Sequence, residues 1–263
     1  MPGFPKKEGG EITPRLLAAH LAGIRSYRSD EKTEAFLARH YGNVVDALAL
    51  FKDDPLVSAP GSRYAYTSYG YNLLAAAIQS AAGKPYDSFM AEAILKPLKL
   101  NHTEFEDIRR SAPDRTENYS FYDPFTSQAK QEVSKVPRFD YSYNMGGGNI
   151  LTTAEDLARF GQAFIRPGLF TKESLALFYA RIRHKDVESP WSYGWFVAPD
   201  ANGARRIYIT GAFLGTQAAL QVYPDDDLVI AIISNTWGIN SRSNEMVMDL
   251  PRRIAAIARG SDR

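Results

Sequence analysis

Apolar positions recur at helical spacing over roughly the first two-thirds of the chain and at extended spacing over most of the remainder. Thr13 followed by Pro14 predicts an N-cap and a first helical residue, opening a short helix through His20. From Asp30 to Phe51, residues Phe36, Leu37, Val44, Val45, Leu48 and Phe51 keep a period near 3.6 and predict a second helix. Pro55, Pro60 and Gly61 break the chain, and residues 64–66 look extended. A strong helix is predicted from Tyr69 to Ala82 with Gly83 as its stop, and another from Tyr86 to Leu95, ending before Pro97. Residues 105–144 are rich in Tyr, Pro, Ser and Asp and predict irregular surface structure with few regular elements. The run 145–148 (MGGG) is a permissive turn. Thr152 with Glu155, or Thr153 with Asp156, then caps a helix over Ala154–Ile165, and a weaker helix follows Thr171.

From Trp191 the period becomes extended. Residues 193–197, 206–209, 216–223 and 228–234 are predicted strands, the last two joined by the turn signal PDDD at 224–227. An amphipathic helix from Ser243 to Ala258 closes the chain, with a kink expected at Pro251. Helices, then an antiparallel meander, then a terminal helix make an α+β layout. Residues 1–263 are expected to form one domain, mostly helical over about 11–190 and an antiparallel sheet with a C-terminal helix over 191–263.

Composition removes several function classes. The 31 basic and 30 acidic residues leave a formal charge of +1, which gives no electrostatic case for nucleic acid or an anionic membrane as partner. There is no cysteine, so disulfides, thiolate metal sites and cysteine nucleophiles are excluded. His20, His40, His102 and His184 stand far apart, so neither a metal centre nor another cofactor is expected. No apolar run approaches the roughly 18 residues of a membrane span, and the first ten residues hold no apolar signal core.

Five segments, in order, carry a family resemblance. EITPRLLAAHLAGIRSY (11–27) resembles the ITxRHLLxHxSGI segment of serine β-lactamase and penicillin-binding-protein-like hydrolases, and PGSRYAYTSYGYNLL (60–74) their PGxxFxYSNxGYxLL segment. GKPY (83–86) with KPLKLNHT (96–103) is similar to GxxY…xPLGMxxT, MGGGNILTTAEDLARF (145–160) to AGGGLxSTAxDLxRF, and YGW (193–195) to the YGxGW strand. The runs GIRSY (23–27) and FKDDPL (51–56) place the chain nearest the mitochondrial β-lactamase-like proteins and their bacterial relatives. The resemblance implies a β-lactamase/transpeptidase-like fold, an antiparallel sheet flanked by helices with a helical subdomain. It also implies acyl transfer through a serine, from a small-molecule or peptide substrate that is an ester, amide, peptide or β-lactam.

In that family a serine in an S-x-x-K motif attacks, and the lysine one helical turn on takes its proton. A Tyr-x-Asn or Tyr-x-Ser motif supplies a second acid/base, and a Lys/His-Thr-Gly strand supplies a polar group and part of the oxyanion hole. The resemblance assigns Tyr66 as the acid/base with Ser68 as its hydrogen-bonding neighbour. It assigns Thr210 and Gly211 to the strand, with the Ala212 N–H facing the oxyanion. A free phenol ionises near ~10, so Tyr66 needs an adjacent cation to act as a base at neutral pH. Ile209 stands where the family has Lys or His.

The two literal S-x-x-K matches, Ser29–Lys32 and Ser127–Lys130, lie downstream of the 11–27 segment, whereas the family's nucleophile lies upstream of it; both read as solvated surface. PGFP (2–5) resembles the PxFP run that normally precedes that segment, so the chain is expected to begin after the nucleophile. The leading expectation is therefore a hydrolase domain lacking its N-terminal part and inactive as it stands, able to associate through an exposed sheet surface, its export address on an upstream segment if it is exported. Two alternatives stand beside it: a non-catalytic relative binding a peptide or partner in the remaining cleft, and an esterase using Ser68, since 66–70 is a near miss for G-x-S-x-G.

Overall fold

The computed structural model describes residues 3–28, 31, 39–123, 126, 128–238 and 245–260. The chain forms two compact units, each assembled from three segments: 1–108, 139–151 and 176–197 in the first, 109–138, 152–175 and 198–263 in the second. Along the chain the main elements are helices α1 (Pro14–Ala18), α2 (Ser68–Ala82) and α3 (Tyr86–Met90), strands β1 (Asn118–Tyr122) and β2 (Ala129–Val136), and helices α4 (Ala154–Gln162) and α5 (Lys172–Phe178). Strands β3 (Ile207–Phe213), β4 (Thr216–Tyr223) and β5 (Leu228–Ser234) and helix α6 (Leu250–Ala258) complete it. The expected α+β class is what is observed.

In the first unit α1 begins as expected, with the Leu16 N–H donated to Thr13 Oγ1 at 3.3 Å. It ends at Ala18, before His20, which takes a left-handed conformation with φ 55°. The chain that follows is lined by residues 57–65. Val57 N donates to Gly23 O at 2.9 Å, Gly61 N to Leu21 O at 2.7 Å and Ala65 N to His20 O at 2.9 Å. Gly23 is required here, because its φ is +73° and a Cβ would collide with the Ser58 carbonyl. Around this ladder Leu16, Leu17, Leu21, Ile24, Val44, Leu48, Phe51, Tyr69 and Leu73 form the core.

The long helix expected over 30–51 is corrected in its described part. Residues 39–45 are not helical, and a 3-10 turn occupies Asp46–Leu50. Asn43 Oδ1 accepts from Val45 N at 2.8 Å and Asp46 N at 3.2 Å, offering the backbone a local cap in place of a continuing helix. Val44, Leu48 and Phe51 are still buried. Phe36 and Leu37 lie outside the described residues. Helix α2 is as expected, with Gly83 closing it at φ 64°. Helix α3 continues into a π-helical turn over Ala91–Leu95.

In the second unit β3, β4 and β5 form an antiparallel meander, with Thr210 opposite Ala219 and Val229 opposite Val222. Neighbouring residues of β5 face opposite ways. Val229 faces α4, where a Cβ on Gly161 would lie 2.6 Å from Val229 Cγ1, and Ile230 packs with Ala255 of α6. A strand covered on both faces explains the near-unbroken apolar run LVIAIIS. Two expectations need correction. Residues 105–144 contain the paired strands β1 and β2, with Thr236–Trp237 parallel to β1. Strand β2 (AKQEVSKV) is almost wholly exposed, so burial left no alternating pattern to detect. Pro251 does not kink a helix; it sits in the first turn of α6, after a π-helical turn over Glu245–Asp249. No described helix is long and apolar enough to cross a membrane.

Candidate active site

The Tyr66-Thr67-Ser68 motif sits at the start of α2, and Thr67 is the reason the helix starts there. Its Oγ1 accepts from Gly70 N at 3.1 Å and donates to Arg25 O, while its backbone N–H donates to His20 Nδ1 at 3.2 Å. Thr67 is thus buried and fully engaged, and its neighbours project outward. Tyr66 is 55% exposed. Its ring lies on the imidazole of His20, 4.5 Å between centroids at 38°, with Trp191 6.0 Å away. Trp191 in turn donates its indole N–H to the Tyr64 hydroxyl at 3.0 Å. Burial pushes the Tyr64 and Tyr71 phenols above their ordinary range, and a charge on Tyr66 would push both further.

Among the described residues no lysine or arginine pairs with the Tyr66 phenol. Arg25, whose carbonyl holds Thr67, spends its guanidinium on Glu31 and Asp54, both at 2.6 Å. Burial lowers His20 to about 4, so it is neutral at physiological pH and supplies no charge either. Ser68 is half-buried and hydrogen-bonds to Tyr27, a phenol that burial pushes above its ordinary value. A phenol held in its protonated form is no base for a serine.

Thr210, Gly211 and Ala212 lie in β3 of the second unit, opposite Ala219, Ala218 and Gln217. Gly211 and Ala212 are exposed, and a Cβ built on Gly211 meets nothing within 4 Å, so this stretch of strand presents open backbone surface. Ile209 precedes them, opposite Leu220. Of the two S-x-x-K matches, Ser29 and Lys32 lie outside the described residues, as does Ser127. Lys130 is in strand β2, bonded to Ser134 Oγ at 3.0 Å, so a spacing of three there is not one face of a helix. Among the described residues no cluster of three or more His, Asp or Glu side chains is placed to hold a metal ion.

Three contributors were not singled out from the sequence: His20, Trp191 and Asn72. Asn72, buried on α2, donates to Tyr143 O at 2.7 Å and accepts from Gly146 N at 3.0 Å, fastening the glycine-rich turn to the helix. Gly146 must be glycine, because a Cβ would strike the Tyr71 carbonyl. A signal for Asn72 existed, since it is an amide on the apolar face of a strong helix.

The class is that of serine β-lactamase and penicillin-binding-protein-like hydrolases, and a comparison with known families carries it. The Beta-lactamase family model matches residues 1–249, and the chain belongs to that family. It is 24% identical to the human mitochondrial serine beta-lactamase-like protein LACTB, an alignment covering 96% of this chain and 64% of that protein. It is 25% identical to penicillin-binding protein 4* of Bacillus subtilis, covering 89% of this chain and 53% of the relative. The chain therefore spans less than two-thirds of these relatives. In fold it is similar to a D-stereospecific amidohydrolase from Streptomyces (TM-score 0.76, 22% identity, 94% of this chain and 76% of that one). A similar likeness links it to an octameric penicillin-binding protein homologue from Pyrococcus abyssi (TM-score 0.75, 20% identity, 97% and 57%).

Proposed function

We propose that these 263 residues carry the tyrosine and substrate-strand parts of a serine acyl-transfer site and, with no Ser–Lys pair on a helix among the described residues, do not turn over substrate as they stand. Tyr66 is the second acid/base, with Ser68 beside it. Thr210 and Gly211 line the substrate, and the Ala212 N–H faces the oxyanion. The observation that carries this reading is the Tyr66 phenol itself, exposed at the start of a capped helix, held from below by His20, and without a cation partner among the described residues. A phenol so placed is ready for proton transfer but needs a neighbouring charge to become a base. With a complete site the substrates are small esters, amides, peptides or β-lactams, and no nucleic acid is involved.

The esterase reading with Ser68 as nucleophile has less support, because the Ser68 hydroxyl is bonded to Tyr27 and, among the described residues, no parallel strand leads into α2 as a nucleophile elbow requires. A fluorophosphonate probe followed by intact-mass analysis separates the readings. No adduct on this chain is the expected result. An adduct mapping to Ser68 would transfer the chemistry to that residue.

A further inference from the structure

We propose that His20 is the positioning residue for Tyr66, a clamp that fixes the phenol's backbone on both sides and its ring from beneath. The inference rests on the reading of Tyr66 as the acid/base. The geometry comes from one unusual residue. His20 is 1% exposed and sits in the left-handed region at φ 55°, immediately after α1. A non-glycine residue held there is strained and persists where the surroundings over-determine it. The turn brings two acceptors of one residue to the same three-residue stretch. The His20 carbonyl receives the Ala65 N–H at 2.9 Å, and its Nδ1 receives the Thr67 N–H at 3.2 Å. Ala65 and Thr67 are the two neighbours of Tyr66. Between them the imidazole face carries the Tyr66 ring at 4.5 Å.

The requirement explains why a histidine is used. The site needs an acceptor at the position of Nδ1 and a flat ring beyond it. Asparagine has the acceptor without the ring, and phenylalanine has the ring without the acceptor. Because Nδ1 accepts an amide proton, a neutral ring carries its own proton on Nε2. Nε2 is buried and has no hydrogen-bond partner. It lies in an aromatic enclosure of Tyr64, Tyr71 and Trp191, whose centroids are 6.2, 5.1 and 4.5 Å from the imidazole. Nothing there makes use of His20 as a proton carrier. What remains is its role as a support.

Two variants of the full 263-residue chain divide the clamp into its parts. Amide hydrogen exchange at Thr67 reads the acceptor, and a fluorotyrosine signal at position 66, assigned with Tyr66→Phe, reads the ring. In His20→Phe the Thr67 amide loses its partner, and its exchange should accelerate about 10- to 100-fold. In His20→Asn, which tolerates the left-handed conformation and keeps an acceptor, Thr67 should stay protected within about threefold, the scatter expected when one acceptor replaces another. The Tyr66 fluorine signal should shift and its line shape change once the ring beneath is gone. Thermal melts of each variant separate these local changes from global unfolding. Should His20→Phe not fold, His20→Asn still decides, through a displaced Tyr66 signal with Thr67 protection kept. An unmoved Tyr66 signal in His20→Asn, or unchanged Thr67 exchange in a folded His20→Phe, overturns the proposal. The catalytic reading of Tyr66 fails on a different signal: turnover that survives Tyr66→Phe in a chain extended by a Ser-x-x-Lys segment. Either idea can therefore fall alone.

Discussion

Arg25 Nε lies 2.6 Å from Asp54 Oδ2, so the GIRSY and FKDDPL runs, 29 residues apart in sequence, meet as an ion pair. The pair has a structural purpose. Arg25 also donates to Leu50 O at 2.7 Å and Ser26 O at 3.0 Å, and its own carbonyl receives the Thr67 hydroxyl. Phe51, from the same run, stacks on Tyr69 of α2 at 4.8 Å and 13°. The start of α2 is thus tied to both runs.

Asp54→Ala should therefore destabilise the fold by about 2 kcal/mol, less than the largest buried pairs because Glu31 still holds Arg25 and Asp54 is partly exposed. Burial works against the Asp54 carboxylate, yet Arg25 and Arg28 hold it below the usual carboxylate range. Its contribution is present above the unfolded pKa and fades as pH falls through the folded one. Urea melts of both proteins at pH 7 and pH 3 measure it. A difference of the same size at both pH values refutes the assignment.

His20 predicts a pH effect of its own. Its folded pKa is about 4 against 6.5 unfolded, so the unfolded chain binds a proton that the folded one refuses. Stability from this group is full above about pH 6.5 and is lost as pH falls toward 4, by about 3 kcal/mol in all. The gap between wild type and His20→Asn should narrow over that window. A constant gap from pH 7 to pH 4 would show that His20 is not buried as a neutral ring.

For turnover, the 263-residue chain should match a heat-killed control on a chromogenic cephalosporin and a p-nitrophenyl ester. Loss of the nucleophile from a serine hydrolase costs roughly 10⁶ in rate. Activity that vanishes in Ser68→Ala would reinstate the esterase reading.

Ile209 bears on substrate choice in a chain that also carries a Ser–Lys helix. A charge-assisted hydrogen bond is worth about 1.5–3 kcal/mol, or roughly 10- to 150-fold. Ile209→Lys should raise kcat/KM on a carboxylate-bearing β-lactam over a neutral ester by a factor in that range, and added salt should shrink the gain. An unchanged ratio means that Ile209 is not at the family's Lys/His position.

Among the described residues no strand pairs with the outer edge of β5, and LVIAIIS carries no charge to discourage one. Sedimentation should show oligomers at micromolar concentration, reduced in Ile233→Lys. A clean monomer for the wild type contradicts this.

Legibility followed the physics of each signal. The α2 cap and stop were readable because Thr67 and Gly83 act locally, and β4 and β5 because their apolar runs are long. The 39–45 stretch misled because Val44, Leu48 and Phe51 are buried at helical spacing through a different backbone, set by one Asn43 side chain. Strand β2 was invisible because it buries almost nothing. Tyr66 was legible through its motif. The importance of His20 was not, because its contacts join residues 20, 65, 67 and 191, and only the folded chain brings those together.

The division of each unit among three separated segments sets an order of events during synthesis. Ser189 Oγ donates to Ala19 O at 2.8 Å, so a contact in the first unit waits until the chain has been made through Ser189. Strand β1 likewise waits for Thr236, which pairs with Tyr119 from far along the chain. The core residues of the first unit between Leu16 and Ala76 can pack on one another early, but that unit is completed only with its last segment, 176–197, and the second only with 198–263. A cut between 108 and 109 keeps the second unit entire in the C-terminal piece, and one between 197 and 198 keeps the first entire in the N-terminal piece, whereas the three boundaries between them divide both units.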